Sequence, residues 1–130
     1  MKRFILSALT ALSLMAPAHA GGSINVEITP TNAEEEMAMR MGLAFYQLAV
    51  NDDASALINQ IGNMNGAGIA QNGSGNLGII DQKGNGHYAT LEQNGNNNAY
   101  GIFQFGNGAN AAVAQNGNGK TGILLQFGLD

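Results

Sequence analysis

Seven of the eight glutamines in this 130-residue chain fall at one spacing: Gln60, Gln71, Gln82, Gln93, Gln104, Gln115 and Gln126, eleven residues apart. A side-chain amide carries two N–H donors and an acceptor oxygen, so amides held in a column can hydrogen-bond one to the next. That chemistry is cohesive rather than catalytic. Other reactive groups are scarce. The chain has no Cys, and beyond its first twenty residues the sole histidine is His87, so neither a nucleophile–base pair nor a zinc site can be assembled. Asp81 and Glu92 sit just before Gln82 and Gln93 on the outward parity of their strands. A solvated face that limits lateral aggregation is preferred there over a cation site. The glycines lack a G-K-[ST] or strand–GxGxxG–helix context, so they make no phosphate loop. No catalytic residue, metal ligand or cofactor is expected.

The glutamines need strands to position them. Two places before each lies an aliphatic: Ile58, Ile69, Ile80, Leu91, Ile102, Val113 and Leu124. Two places after each lies a glycine: Gly62, Gly73, Gly84, Gly95, Gly106, Gly117 and Gly128. Three residue types kept in phase without an insertion mark a repeat architecture. Trios such as Ala67-Ile69-Gln71, Ala89-Leu91-Gln93 and Ala111-Val113-Gln115 alternate, so their members share one strand face. Gly/Asn clusters such as Asn94-Gly95-Asn96-Asn97 supply turns between them. The residue after Gln runs Ile61, Asn72, Lys83, Asn94, Phe105, Asn116, Phe127, so Asn-Gly recurs at every other unit. The structural unit is therefore a 22-residue strand–turn–strand–turn coil made of two 11-residue half repeats.

Stacked coils predict an all-β, two-sheet, amyloid-like β-solenoid over residues 55–130: seven strands, about three and a half coils. The aliphatics form its core seam, the glutamines its amide ladders and the glycines its turns. An inward Gln is tolerable only in a ladder, since an unpaired buried amide costs about 1–3 kcal/mol.

The N-terminal residues follow other rules. Lys2 and Arg3, the apolar run Phe4–Ala16 and Ala18-His19-Ala20 read as a signal peptide over residues 1–20, so export is expected. The remaining three cations, Arg40, Lys83 and Lys120, stand against nine acids, a formal charge of −6. So acidic a chain has no electrostatic footprint for nucleic acid. Residues 21–54 form a short N-terminal appendage. Within it Ile24–Thr29 alternates as a strand, and Asn32 with Glu35 is a helix-start signature. Met37, Met41, Ala44 and Leu48 then share a helical stripe, although Phe45–Val50 also alternates as a strand; the helix is the favoured reading. That stripe is placed to cap the open end of the solenoid.

The spacing Q-x-G-x-x-N-x-A-x-x-x-Q resembles the curlin repeat, which Gln60-Ile61-Gly62-Asn63-Met64-Asn65-Gly66-Ala67 through Gln71 fits in full. Asn76 and Asn98 keep the Asn, whereas His87, Ala109 and Lys120 replace it. The resemblance adds Asn65, Asn76 and Asn98 to the ladder positions and makes His87 a repeat substitution rather than a ligand or base. It implies a non-enzymatic curli subunit, secreted through the periplasm into cell-surface fibres of biofilm matrix and adhesion. Its implied partners are further copies of itself, other curlin subunits, an outer-membrane secretion pore and periplasmic accessory proteins. It also makes part of residues 21–54 a secretion-targeting stretch. Two alternatives stay open: a minor curlin that nucleates and anchors the fibre, and a monomeric ligand-binding β-solenoid. Against ice binding, the outward set Gly68, Ile79, Thr90, Gly101, Ala112 and Ile123 is too mixed.

Overall fold

Period-two alternation between recurrent glycines leaves no room for helix in the repeat, and each unit makes one strand. The computed structural model describes residues 23–49 and 56–129; the expected signal segment lies outside them. The elements are β1 (Ser23–Ile28), α1 (Ala33–Ala49), β2 (Ala56–Ile61), β3 (Gly66–Asn72), β4 (Leu77–Asn85), β5 (Tyr88–Asn94), β6 (Ala99–Asn107), β7 (Asn110–Asn116) and β8 (Thr121–Leu129). They form two sheets, ordered β1-β8-β6-β4-β2 and β3-β5-β7.

All repeat strands pair in parallel, each residue beside the one 22 positions on, as in Gln60↔Gln82 and Gln71↔Gln93. The chain is thus a β-solenoid of three and a half coils, built from the seven strands β2 to β8. Between the sheets lies a core of Ile80, Ala89, Leu91, Tyr100, Ile102 and Ala111, with Ala67, Ile69, Val113 and Leu124 packed against it. Ile58 departs from the continuous seam: it is 41% exposed, because the first coil has a neighbour on one side only.

Glycine permits the coils to approach. Gly95 has φ +122°, and a Cβ there would lie 1.8 Å from the Gly117 carbonyl oxygen in the next coil. The turn assignment needs correction at Gly84, Gly106 and Gly128, which fall inside β4, β6 and β8. The close glycine column keeps pairing, Gly84↔Gly106↔Gly128, where larger residues would force the strands apart.

β1 and α1 complete the molecule. β1 pairs antiparallel with β8, from Ser23↔Gly128 to Ile28↔Ile123. α1 opens on an Asn cap: the Asn32 Oδ1 accepts from Glu35 N at 2.9 Å, and the Glu35 carboxylate accepts from Thr31 N, one residue before the cap, at 2.8 Å. The helix does not cap an end through Met37, Met41 and Ala44, which are all exposed. It lies instead on the outer face of the five-stranded sheet. There Leu43, 2% exposed, fills the dip at Gly101, and a second core joins Leu43, Leu57, Ile79 and Ala99. Two apolar faces compete on this helix, and the one that meets a glycine-made hollow is buried. The outward column is therefore covered at Ile79, which is fully buried.

Candidate functional site

The glutamines point inward and form two ladders. In the larger sheet Gln60 Nε2 donates to Gln82 Oε1 at 2.8 Å, Gln82 to Gln104 at 2.8 Å and Gln104 to Gln126 at 2.7 Å. In the smaller sheet Gln71 donates to Gln93 and Gln93 to Gln115, both at 2.8 Å. The second N–H crosses the core to a backbone carbonyl of the opposite sheet: Gln82 to Gly66, Gln93 to Leu77, Gln104 to Tyr88, Gln115 to Ala99 and Gln126 to Asn110, at 2.8–3.2 Å. Each buried amide thus ties coil to coil and sheet to sheet. Gln82, Gln93 and Gln104 are fully buried, whereas Gln60 in the first coil is exposed.

Asn65, Asn76 and Asn98 do not ladder amide to amide. Asn76 Oδ1 accepts from Asn98 N at 3.0 Å, and its Nδ2 donates to Gly95 O at 3.0 Å. Asn65 grips His87 N and Gly84 O, and Asn98 grips Lys120 N and Gly117 O, in the same way. At these corners the chain leaves the sheet, and backbone groups of the next coil need side-chain partners. His87, 1% exposed, takes over one of the two Asn contacts: its Nδ1 accepts from Ala109 N of the next coil at 3.1 Å, whereas its Nε2 meets Lys83 O of its own coil at 3.0 Å. Ala109 and Lys120 have no such amide, so the clamps end with the last coil.

Sequence reasoning missed several partners. Asn72, Asn94 and Asn116 form an exposed amide ladder at 2.9 and 3.0 Å, for which Asn after every second Gln was the available signal. Met64, Gly75, Gly86, Asn97, Gly108 and Gly119 all have φ between 61° and 73°, a left-handed turn position that also recurs every eleven residues. Asp81 is not solvated but 2% exposed beneath α1, where the Tyr46 hydroxyl donates to its Oδ2 and Lys83 Nζ stands 4.0 Å away. Burial, then the Asp81 hydrogen bond and charge, push the Tyr46 phenol up to about 12. Burial, then the charge and hydrogen bond of Glu27, raise that of Tyr100. Among the described residues no cluster of His, Cys, Asp and Glu could hold a metal ion.

The two ends of the solenoid differ. At the start, β2 and β3 are the sheet edges. At the other end, β7 is an edge, while β8 carries β1, whose Asn25 Oδ1 accepts from Gln126 Nε2 at 2.8 Å and so closes the ladder. Among the described residues no strand lies opposite β8, and a recess opens there over Val113, Ala114 and Gln115, bordered by Lys120, Gly122 and Glu27. An edge strand is a template for further pairing, so this arrangement can bind another copy of the same coil.

Residues 75–106 match the family model described as the curlin associated repeat. No curated protein and no solved structure matches the chain.

Proposed function

Since the chain belongs to the curlin-repeat family, we propose that it is a structural, non-enzymatic subunit that self-assembles into extracellular amyloid fibres of biofilm matrix and cell adhesion. The observation that carries this reading is the Gln82–Gln104 and Gln93–Gln115 ladders, whose bonds repeat from coil to coil and so can repeat from copy to copy. Residues 1–20 act as the export signal, residues 21–54 as an appendage for targeting and capping, and residues 55–130 as the polymerising array. The chain passes the periplasm with accessory proteins, leaves through an outer-membrane pore and joins copies of itself and other curlin subunits.

Purified chain from Gly21 onward tests this. It is expected to form fibres that bind amyloid dyes and diffract at about 4.7–4.8 Å along the fibre axis. Protein that stays monomeric for days at high concentration overturns the reading. Fibres formed only when a second curlin chain is present, and faster than that chain alone, assign the nucleating role instead.

A further inference from the structure

We propose that the Asn-Gly turns are deamidation sites that the fold holds shut, and that Asn94 is the one at which the reaction bars an unfolded chain from folding. This stands on the solenoid alone and does not need the fibre reading.

Seven Asn-Gly pairs lie in the array. Asparagine is a thermolabile residue, and a following glycine, with no Cβ, leaves its backbone nitrogen unhindered. In the reaction that nitrogen attacks the carbonyl carbon of the Asn side chain. A C–N bond closes a cyclic imide, and the side-chain nitrogen leaves as ammonia, taking the glycine's amide proton. Water then opens the ring at one carbonyl or the other. The products are Asp, or isoAsp, in which the backbone runs through the side chain and is one carbon longer.

The fold occupies the attacking atom. Gly66, Gly86, Gly95, Gly108, Gly117 and Gly119 each follow an Asn, and each N–H donates to a backbone carbonyl of an adjacent coil at 2.8–3.0 Å. The Asn side chains are engaged as well. Asn94 Nδ2 donates to Asn116 Oδ1 at 3.0 Å and to Glu92 Oε1 at 2.7 Å, while its Oδ1 accepts from Asn72 at 2.9 Å. With the nitrogen bonded and the side chain held away, the ring closes only after the turn opens, so the folded chain reacts through local opening alone. An unfolded chain has no such ties.

The consequence is unequal along the Asn72–Asn94–Asn116 ladder. Deamidation at Asn94 replaces an NH2 group that donates twice with a carboxylate oxygen. The new charge then faces the Glu92 carboxylate and Asn116 Oδ1, and both lose their donor. Asn116 only accepts within this ladder, so a carboxylate there keeps the bond from Asn94. IsoAsp adds a further fault, because it lengthens the backbone inside a stack registered residue on residue, as in Asn94↔Asn116. A chain that lingers unfolded thus acquires changes that the solenoid rejects, whereas a chain that folds promptly is protected.

Peptide mapping by mass spectrometry tests the protection. At one mildly alkaline pH, the chain kept unfolded in urea is expected to deamidate at its Asn-Gly pairs at least about tenfold faster than the folded chain. Equal rates in the two states overturn the proposal. When the aged chain is returned to native buffer, Asp and isoAsp at position 94 are expected to concentrate in the fraction that stays unfolded. Equal amounts in the folded and unfolded fractions overturn the bar to folding. Two variants check the choice of site without ageing. Asn94→Asp is expected to lower the urea midpoint of the unpolymerised chain more than Asn116→Asp, since only the first sets a carboxylate against Glu92. Equal shifts, or loss of folding in both, overturn the assignment to Asn94.

Discussion

At the residue scale, cohesion comes from amides that serve two neighbours at once. Gln93, itself fully buried, donates to Leu77 O and to Gln115 and accepts from Gln71. Gln93→Ala strands those three groups and is expected to cost about 3 kcal/mol or more, whereas Gln60→Ala at the exposed first coil costs about 1 kcal/mol or less. Denaturant midpoints of the unpolymerised chain check this; equal losses would mean that the ladder contributes little. The columns are legible in the sequence because a residue stacked on its own equivalent must recur at the coil period. What the amides do with their second donor is not, since Leu77 O and Gly66 O are backbone groups that leave no mark in residue type. The clamps of Asn65, Asn76 and Asn98 escape for the same reason.

At the element scale, the repeat strands follow from period and parity, but the placement of β1 and α1 does not. Alternation marks Ser23–Ile28 as a strand without saying which edge it will take. On α1, Leu43 and Tyr46 lie on one side and Met37, Met41 and Phe45 remain exposed, so hydrophobicity alone does not choose the buried face. The hollow at Gly101 chooses it, together with Phe103, whose ring meets that of Tyr46 edge-on at 5.4 Å. Tyr46→Phe removes the hydroxyl donor to buried Asp81 and is expected to destabilise the helix–sheet contact by about 1–2 kcal/mol. Alkali should act at the same point. The folded pKa of Tyr46, about 12, lies above its ordinary value of 10.0, so its contribution is fully present below pH 10 and is lost as pH rises through 12. The raised pKa of Tyr100 works in the same sense. The helical circular-dichroism signal should therefore fade over that interval. An unchanged signal to pH 12 would show that the phenol does not hold α1 down.

At the scale of the whole molecule, one set of contacts holds coil to coil, and in the proposed fibre the same set holds copy to copy. The ends are unlike. One presents β2 and β3, and the other a bare β7 beside a β8 covered by β1, so a fibre of such units has a direction. The sequence shows the coil period in its glutamines, but the edge that β1 covers appears only once β1 is seen on β8.

The asparagine clamps stop at Ala109 and Lys120, and in a fibre of the proposed kind this sets a mechanical grain. Among the described residues the corners between coils are bolted by Asn65, Asn76, His87 and Asn98, whereas Ala109 and Lys120 offer no bolt of this kind to a further copy. Under shear such a filament behaves as stiff links on weaker couplings and should snap at the couplings. Each break exposes two intact growing tips, so rough handling multiplies fibres instead of destroying them. Fitting both positions with the missing amide, Ala109→Asn with Lys120→Asn, should toughen the couplings and leave longer fragments after sonication. Fragment lengths unchanged by that pair of substitutions would place the weak plane elsewhere.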